Sequence, residues 1–121
     1  MTYSQIFNQV VEVVGPTLIE SPYSDQLVED WDTPVYTPVD FPVSVQPADS
    51  TEGEPERPQT VQKFRMFTPP GTDIPELTAS HKIRLGGVLL MELTGHPERW
   101  PDPHNPGAVH HLEAVLEVVR G

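Results

Sequence analysis

The chain has no cysteine, and no lysine or arginine occurs before Arg57. The first absence excludes a disulfide framework and a thiolate zinc site, and it fits a reducing compartment. The second leaves residues 1–60 with eleven acids against one arginine, while residues 61–121 hold seven acids and six bases; the formal net charge is −11. A first half of that sign repels nucleic-acid phosphates wherever it faces them, unless its charge serves solubility alone. No apolar run approaches the ~20 residues that a membrane-spanning helix needs. The opening MTYSQIFNQ lacks the basic cluster and apolar core of a secretion signal. Fifteen prolines and eight glycines in 121 residues argue against long helices and for short strands joined by turns. The length fits one domain, 1–121, with one modest core that buries roughly 65% of the unfolded surface.

What is present is alternation. From Val35 to Gln46, Val35, Thr37, Val39, Phe41, Val43 and Val45 share one parity, which predicts one extended strand with a buried face. Pro34, Pro38 and Pro42 fall on the other parity. Having no N–H, they leave one edge of that strand poorly able to pair. An acidic, proline-rich stretch follows and runs to Thr60. Residues 48–60 are expected to project as an arm toward another molecule, with a plain connecting loop as the alternative. Asp49, Ser50, Thr51, Glu52, Glu54, Glu56 and Arg57 are its candidate contact residues, and its acids would keep DNA from adhering.

Other segments read as shorter strands. Val10–Val14 fits a strand stopped by Gly15-Pro16, although Ile6, Phe7, Val10, Val11 and Val14 would also form a helical stripe. Leu18–Glu20 and Leu27–Trp31 flank the turn-like Ser21–Asp25. A run VQKFRMFT ends in the turn-like PPGTD. His81–Leu85 and Val88–Thr94 flank Gly86-Gly87, a two-residue hairpin signal. Gly95–Gly107 reads as a loop with four prolines, and His110–Val119 fits a strand or a helix, the β context favouring a strand. About seven short strands predict an all-β fold, a small antiparallel β-barrel or sandwich. Its expected core includes Val39, Phe41, Val43, Val45, Phe64, Met66, Ile83, Leu85, Leu89, Met91, Leu93, Leu112 and Leu116.

A recognisable order runs through these segments: Asp30-Trp31 before a proline, Gln46-Pro47, Ser50-Thr51-Glu52, Phe64-Arg65-Met66-Phe67, Pro70-Gly71-Thr72-Asp73-Ile74, Lys82-Ile83-Arg84, Gly95 with Pro97 and Trp100, and His110-His111-Leu112-Glu113-Ala114. Over residues 28–121 this order resembles the head-to-tail stopper family, also called head-closure or head-completion proteins, of long-tailed actinobacterial bacteriophages. The resemblance implies a structural virion protein, made in the host cytoplasm. It would form a homo-oligomeric ring of six copies, with twelve as the alternative. The ring would sit in the neck between the portal adaptor and the tail terminator, retain packaged double-stranded DNA without binding it tightly, and provide the tail-joining platform. A loop from each barrel would close the channel.

Chemistry-bearing residues are sparse. Trp31 and Trp100 adjoin turn residues and are expected to pack over barrel ends or to serve as interface anchors. His96, His104, His110 and His111 lie close in sequence. On a strand, His110 and His111 would face opposite sides, which argues against a metal site. Ser80-His81 would diverge on a strand, and no glycine-rich phosphate loop occurs. The expectation is no enzyme, metal, cofactor or membrane. A competing function is a monomeric acidic binding module, an inhibitor or immunity-like protein that mimics nucleic acid.

Overall fold

A computed structural model describes residues 6–48 and 62–118. Among them there is no helix, and eight antiparallel strands form one sheet. The strands are β1 (Val11–Glu20), β2 (Leu27–Pro38), β3 (Ser44–Pro47), β4 (Lys63–Phe67), β5 (Lys82–Leu85), β6 (Leu89–Leu93), β7 (Glu98–Pro101) and β8 (Val109–Val118). Their order is β2-β1-β5-β6-β8-β4-β3, and β7 pairs with β8 beside this path. The sheet is not closed. A single isolated bridge, Gln9 to Val43, spans the seam, helped by the Gln9 side chain accepting from the Val45 N–H at 2.8 Å. The all-β expectation holds, as an open sheet curled around one core.

Alternation builds that core. Val11, Val13, Val43, Met66, Ile83, Met91, Leu112 and Leu116 are buried, while Phe41, Phe64, Leu85, Leu89 and Leu93 are partly buried against them. The final segment is a strand, with Leu112, Ala114 and Leu116 inward. The β5–β6 turn follows the sequence directly: Gly86 and Gly87 take φ of 61° and 75°, the pair of positive values that a type I′ turn requires.

Four expectations are corrected. The alternating run Val35–Gln46 is two pieces, the end of β2 and β3 up to Gln46. Between them the chain bends at Asp40-Phe41, and the Val39 N–H donates across to the Val11 carbonyl at 3.1 Å. Val39, Val43 and Val45 face the core, but Val35 and Thr37 are exposed, because β2 is an edge strand with nothing beyond it. Edge position also accommodates Pro34 and Pro38. Gly15-Pro16 does not stop β1. It sits at a register shift where one residue of β1, Pro16, faces four of β2, Trp31–Pro34, and a Cβ on Gly15 would stand 3.0 Å from His81 Cδ2.

The third correction is β7, which lies within the expected loop Gly95–Gly107 and is exposed along its whole length. Its Arg99 ties down the connection before β5. The guanidinium donates to Asp73 Oδ1 at 3.0 Å, to the Ile74 carbonyl at 2.8 Å and to the Leu77 carbonyl at 3.0 Å. Ile74 and Leu77 thereby become core residues that alternation does not reveal. Fourth, Ser80 and His81 precede β5 and lie in a turn, where the Thr78 hydroxyl meets Ser80 Oγ at 3.0 Å and His81 Nδ1 at 2.8 Å.

Candidate interaction surface

The largest departure from a compact sheet is the β1–β2 hairpin. β1 pairs with β5 only over Val11–Val14, whereas its pairing with β2 continues to Glu20↔Leu27. Among the described residues the stretch Thr17–Asp30 is therefore a two-stranded arm with no third strand beside it. Residues that pair directly share a face, so Ile19 and Val28 occupy one face while Leu18 and Leu27 lie diagonally on the other. These side chains are all exposed, Leu18 by 58% and Leu27 by 57%, and Tyr23 at the turn is 94% exposed. A two-stranded ribbon is marginal by itself in water. This one carries apolar residues on both faces, and among the described residues none covers them.

The root of the arm is built carefully. Asp30 accepts from the Asp32 N–H at 3.0 Å and from the Thr33 hydroxyl at 3.1 Å, and the Thr17 hydroxyl donates to the Thr33 carbonyl. This folds Trp31–Pro34 out of register and lays Trp31 beneath the Lys82 ammonium, 4.6 Å from the ring centroid. Alongside, the Arg84 guanidinium stacks 3.8 Å from the Tyr36 centroid and donates to Glu12 Oε1 at 2.7 Å. That hydrogen bond, reinforced by the charge of Arg84 and opposed by desolvation, holds the Glu12 carboxyl below its ordinary value, and its partner raises Arg84. Trp31 is thus half-buried at the arm's base.

A second feature lies at the other end of the strand order. Over β3, β4 and β8 an open cavity of about 360 Å³ is lined mainly by apolar surface from Ile6, Phe7, Phe67 and Pro70, with Ser44, Gln46, Thr68, His110 and His111. The expectation that His110 and His111 diverge is corrected here. β7 and β8 shift register between Trp100 and Pro101, leaving His110 as the extra residue of a bulge, and a bulge turns two successive side chains to one side. The two rings meet edge to face with Nδ1 atoms 2.9 Å apart. His111 Nε2 lies 2.8 Å from Glu113 Oε2, and Glu113 Oε1 lies 3.5 Å from Arg65 Nη1. One hydrogen is shared between the two Nδ1 atoms, Glu113 engages His111 Nε2, and His110 Nε2 has no hydrogen-bond partner among the described residues. Trp100 stacks on His111 at 6.0 Å between centroids and is 47% exposed.

His96 and His104 are exposed and take no part in this cluster. Among the described residues, no group of three or more His, Cys, Asp or Glu is placed to hold a metal ion. Asp49, Ser50, Thr51, Glu52, Glu54, Glu56 and Arg57 lie outside the described residues. The arm's exposed apolar residues were missed in the sequence although their signal is visible there: Leu18-Ile19 and Leu27-Val28 put apolar residues on both parities of paired strands, which a one-sided sheet does not require. Comparison with protein-family models, with characterised proteins and with solved structures finds no match to the chain.

Proposed function

We propose that this chain is a structural connector of a bacteriophage neck, a non-enzymatic protein that works as a ring between the portal adaptor and the tail terminator. The observation that carries this reading is the exposed β1–β2 arm: a small all-β domain extends an apolar-studded ribbon that no described residue of the chain covers, a surface suited to another protein. The ordered motifs from Asp30-Trp31 to His110-His111 support it through their resemblance to stopper proteins. In this reading residues 48–60 close the channel, and their four acids against Arg57 repel DNA phosphates, an effect that salt screens beyond ~8 Å.

Deleting residues 50–58 tests the proposal in the parent phage. The expected result is a folded protein, incorporated in particles, with lower infectious yield through DNA leakage or failed tail joining. Purified virions should contain the chain, and an averaged neck reconstruction should show a closed ring. Its absence from virions would overturn the connector reading. A monomer that blocks a nucleic-acid-binding protein would establish the acidic-mimic alternative in its place.

A further inference from the structure

We infer that the β1–β2 arm of one copy seats in the apolar cavity over β3, β4 and β8 of the next copy, making a head-to-tail contact. The inference rests on the ring reading above and names the surfaces that would join the ring. Three observations lead to a second copy as the occupant.

The first is placement. The arm belongs to the β2–β1 end of the strand order, the cavity to the β8–β4–β3 end, and no arm residue lines the cavity. A projection and a recess on different parts of one chain form a heterologous interface, the kind that propagates around a ring. The second is chemistry. The cavity is apolar-lined and its volume is at the small end of those that hold a compact ligand, the scale of one aromatic side chain with its neighbours. The arm presents Tyr23 at its tip with Leu18 and Leu27 behind, and tyrosine is a common interface anchor.

The third is charge. Residues 17–32 carry Glu20, Asp25, Glu29, Asp30 and Asp32 and no base. Among the described residues no acid lines the cavity; its titratable lining groups there are His110 and His111, with Arg65 beyond them through Glu113. Glu113 is engaged by both His111 and Arg65, and His110 Nε2 can pair with the Tyr23 hydroxyl, which both donates and accepts. The overall charge of −11 opposes association at low salt, so the pairwise contact is weak and strengthens with ionic strength.

The absence of cysteine makes the test clean. Ser24→Cys and Gln46→Cys each place one thiol, beside the intact Tyr23 ring at the arm tip and at the cavity rim, on exposed residues. Mixed at millimolar concentration in moderate salt and oxidised, the two variants should form a Ser24→Cys/Gln46→Cys disulfide-linked dimer about tenfold faster than either forms with Val88→Cys on the exposed β5–β6 turn. Adding Leu27→Ser to the arm variant should abolish the excess. Sedimentation of the unmodified chain should show mass rising with concentration. A cross-linking rate equal to the Val88→Cys control overturns the proposal, as does faster linkage of Ser24→Cys to itself, which would mean arm-to-arm pairing. Specific linkage by a chain that purified virions lack would leave this contact standing and remove the connector reading. A virion ring without the linkage would do the reverse.

Discussion

Arg99 lies on an edge strand exposed along its length, yet its guanidinium fixes Asp73 and the carbonyls of Ile74 and Leu77, and with them two fully packed core side chains. A planar fork can satisfy such a set at once, whereas a lysine ammonium is a single point charge on a flexible stem. Arg99→Lys keeps the net charge and should lower stability by about 1–2 kcal/mol in urea unfolding, partial exposure moderating the loss. An unchanged midpoint would mean that the connection packs without it. Glu12 offers a pH test. Its carboxyl is held below the ordinary 4.5 by the Arg84 hydrogen bond, so the folded state binds that proton less readily than the unfolded chain. Its contribution is therefore complete above 4.5 and is lost as the pH falls through the lower folded-state value. Glu12→Gln should be less stable than the parent at neutral pH, with the difference shrinking on acidification; thermal melts across that range check the sign. Neither pairing was legible in the sequence. Arg99 and Asp73 are 26 positions apart, and Ile74 and Leu77 sit among turn residues with no period to mark them.

Among the elements, legibility follows local chemistry. Gly86-Gly87 dictates its own turn, and Leu112, Ala114 and Leu116 alternate cleanly, so the β5–β6 hairpin and β8 were readable. β7 was not, because Glu98-Arg99-Trp100-Pro101 has no buried side chain and so no alternation to detect. The bulge at His110 was invisible for a related reason: period-two counting assumes an unbroken register, and one extra residue changes which side every later ring faces. In the arm, alternation is absent, and no described residue covers either face. That predicts an unusual tolerance. Leu18→Ser combined with Leu27→Ser should change the unfolding free energy by no more than about 0.5 kcal/mol, since exposed positions away from the core contribute little. A larger loss in chemical denaturation would show that these leucines are packed within the monomer.

At the scale of the whole molecule, stability is concentrated around the inward faces of β1, β3, β4, β5, β6 and β8. Leu116 is fully buried, and Leu116→Ala should cost roughly 2–5 kcal/mol. Phe41 lies at the bend between β2 and β3 and is only partly buried, so Phe41→Ala should cost less despite removing a larger group. Equal losses in parallel urea titrations would mean that the bend is as much a part of the core as β8. The seam between Gln9 and Val43 has a consequence in time. Hairpins such as β5–β6 can zip from a local turn, but β1 must find β5 about seventy positions away and β4 must find β8 about fifty away, pairings whose loop-closure entropy slows folding. The seam, held by one bridge and one glutamine side chain, gains little until those ladders are in place. By this argument the seam is expected to close after those ladders and to open before them.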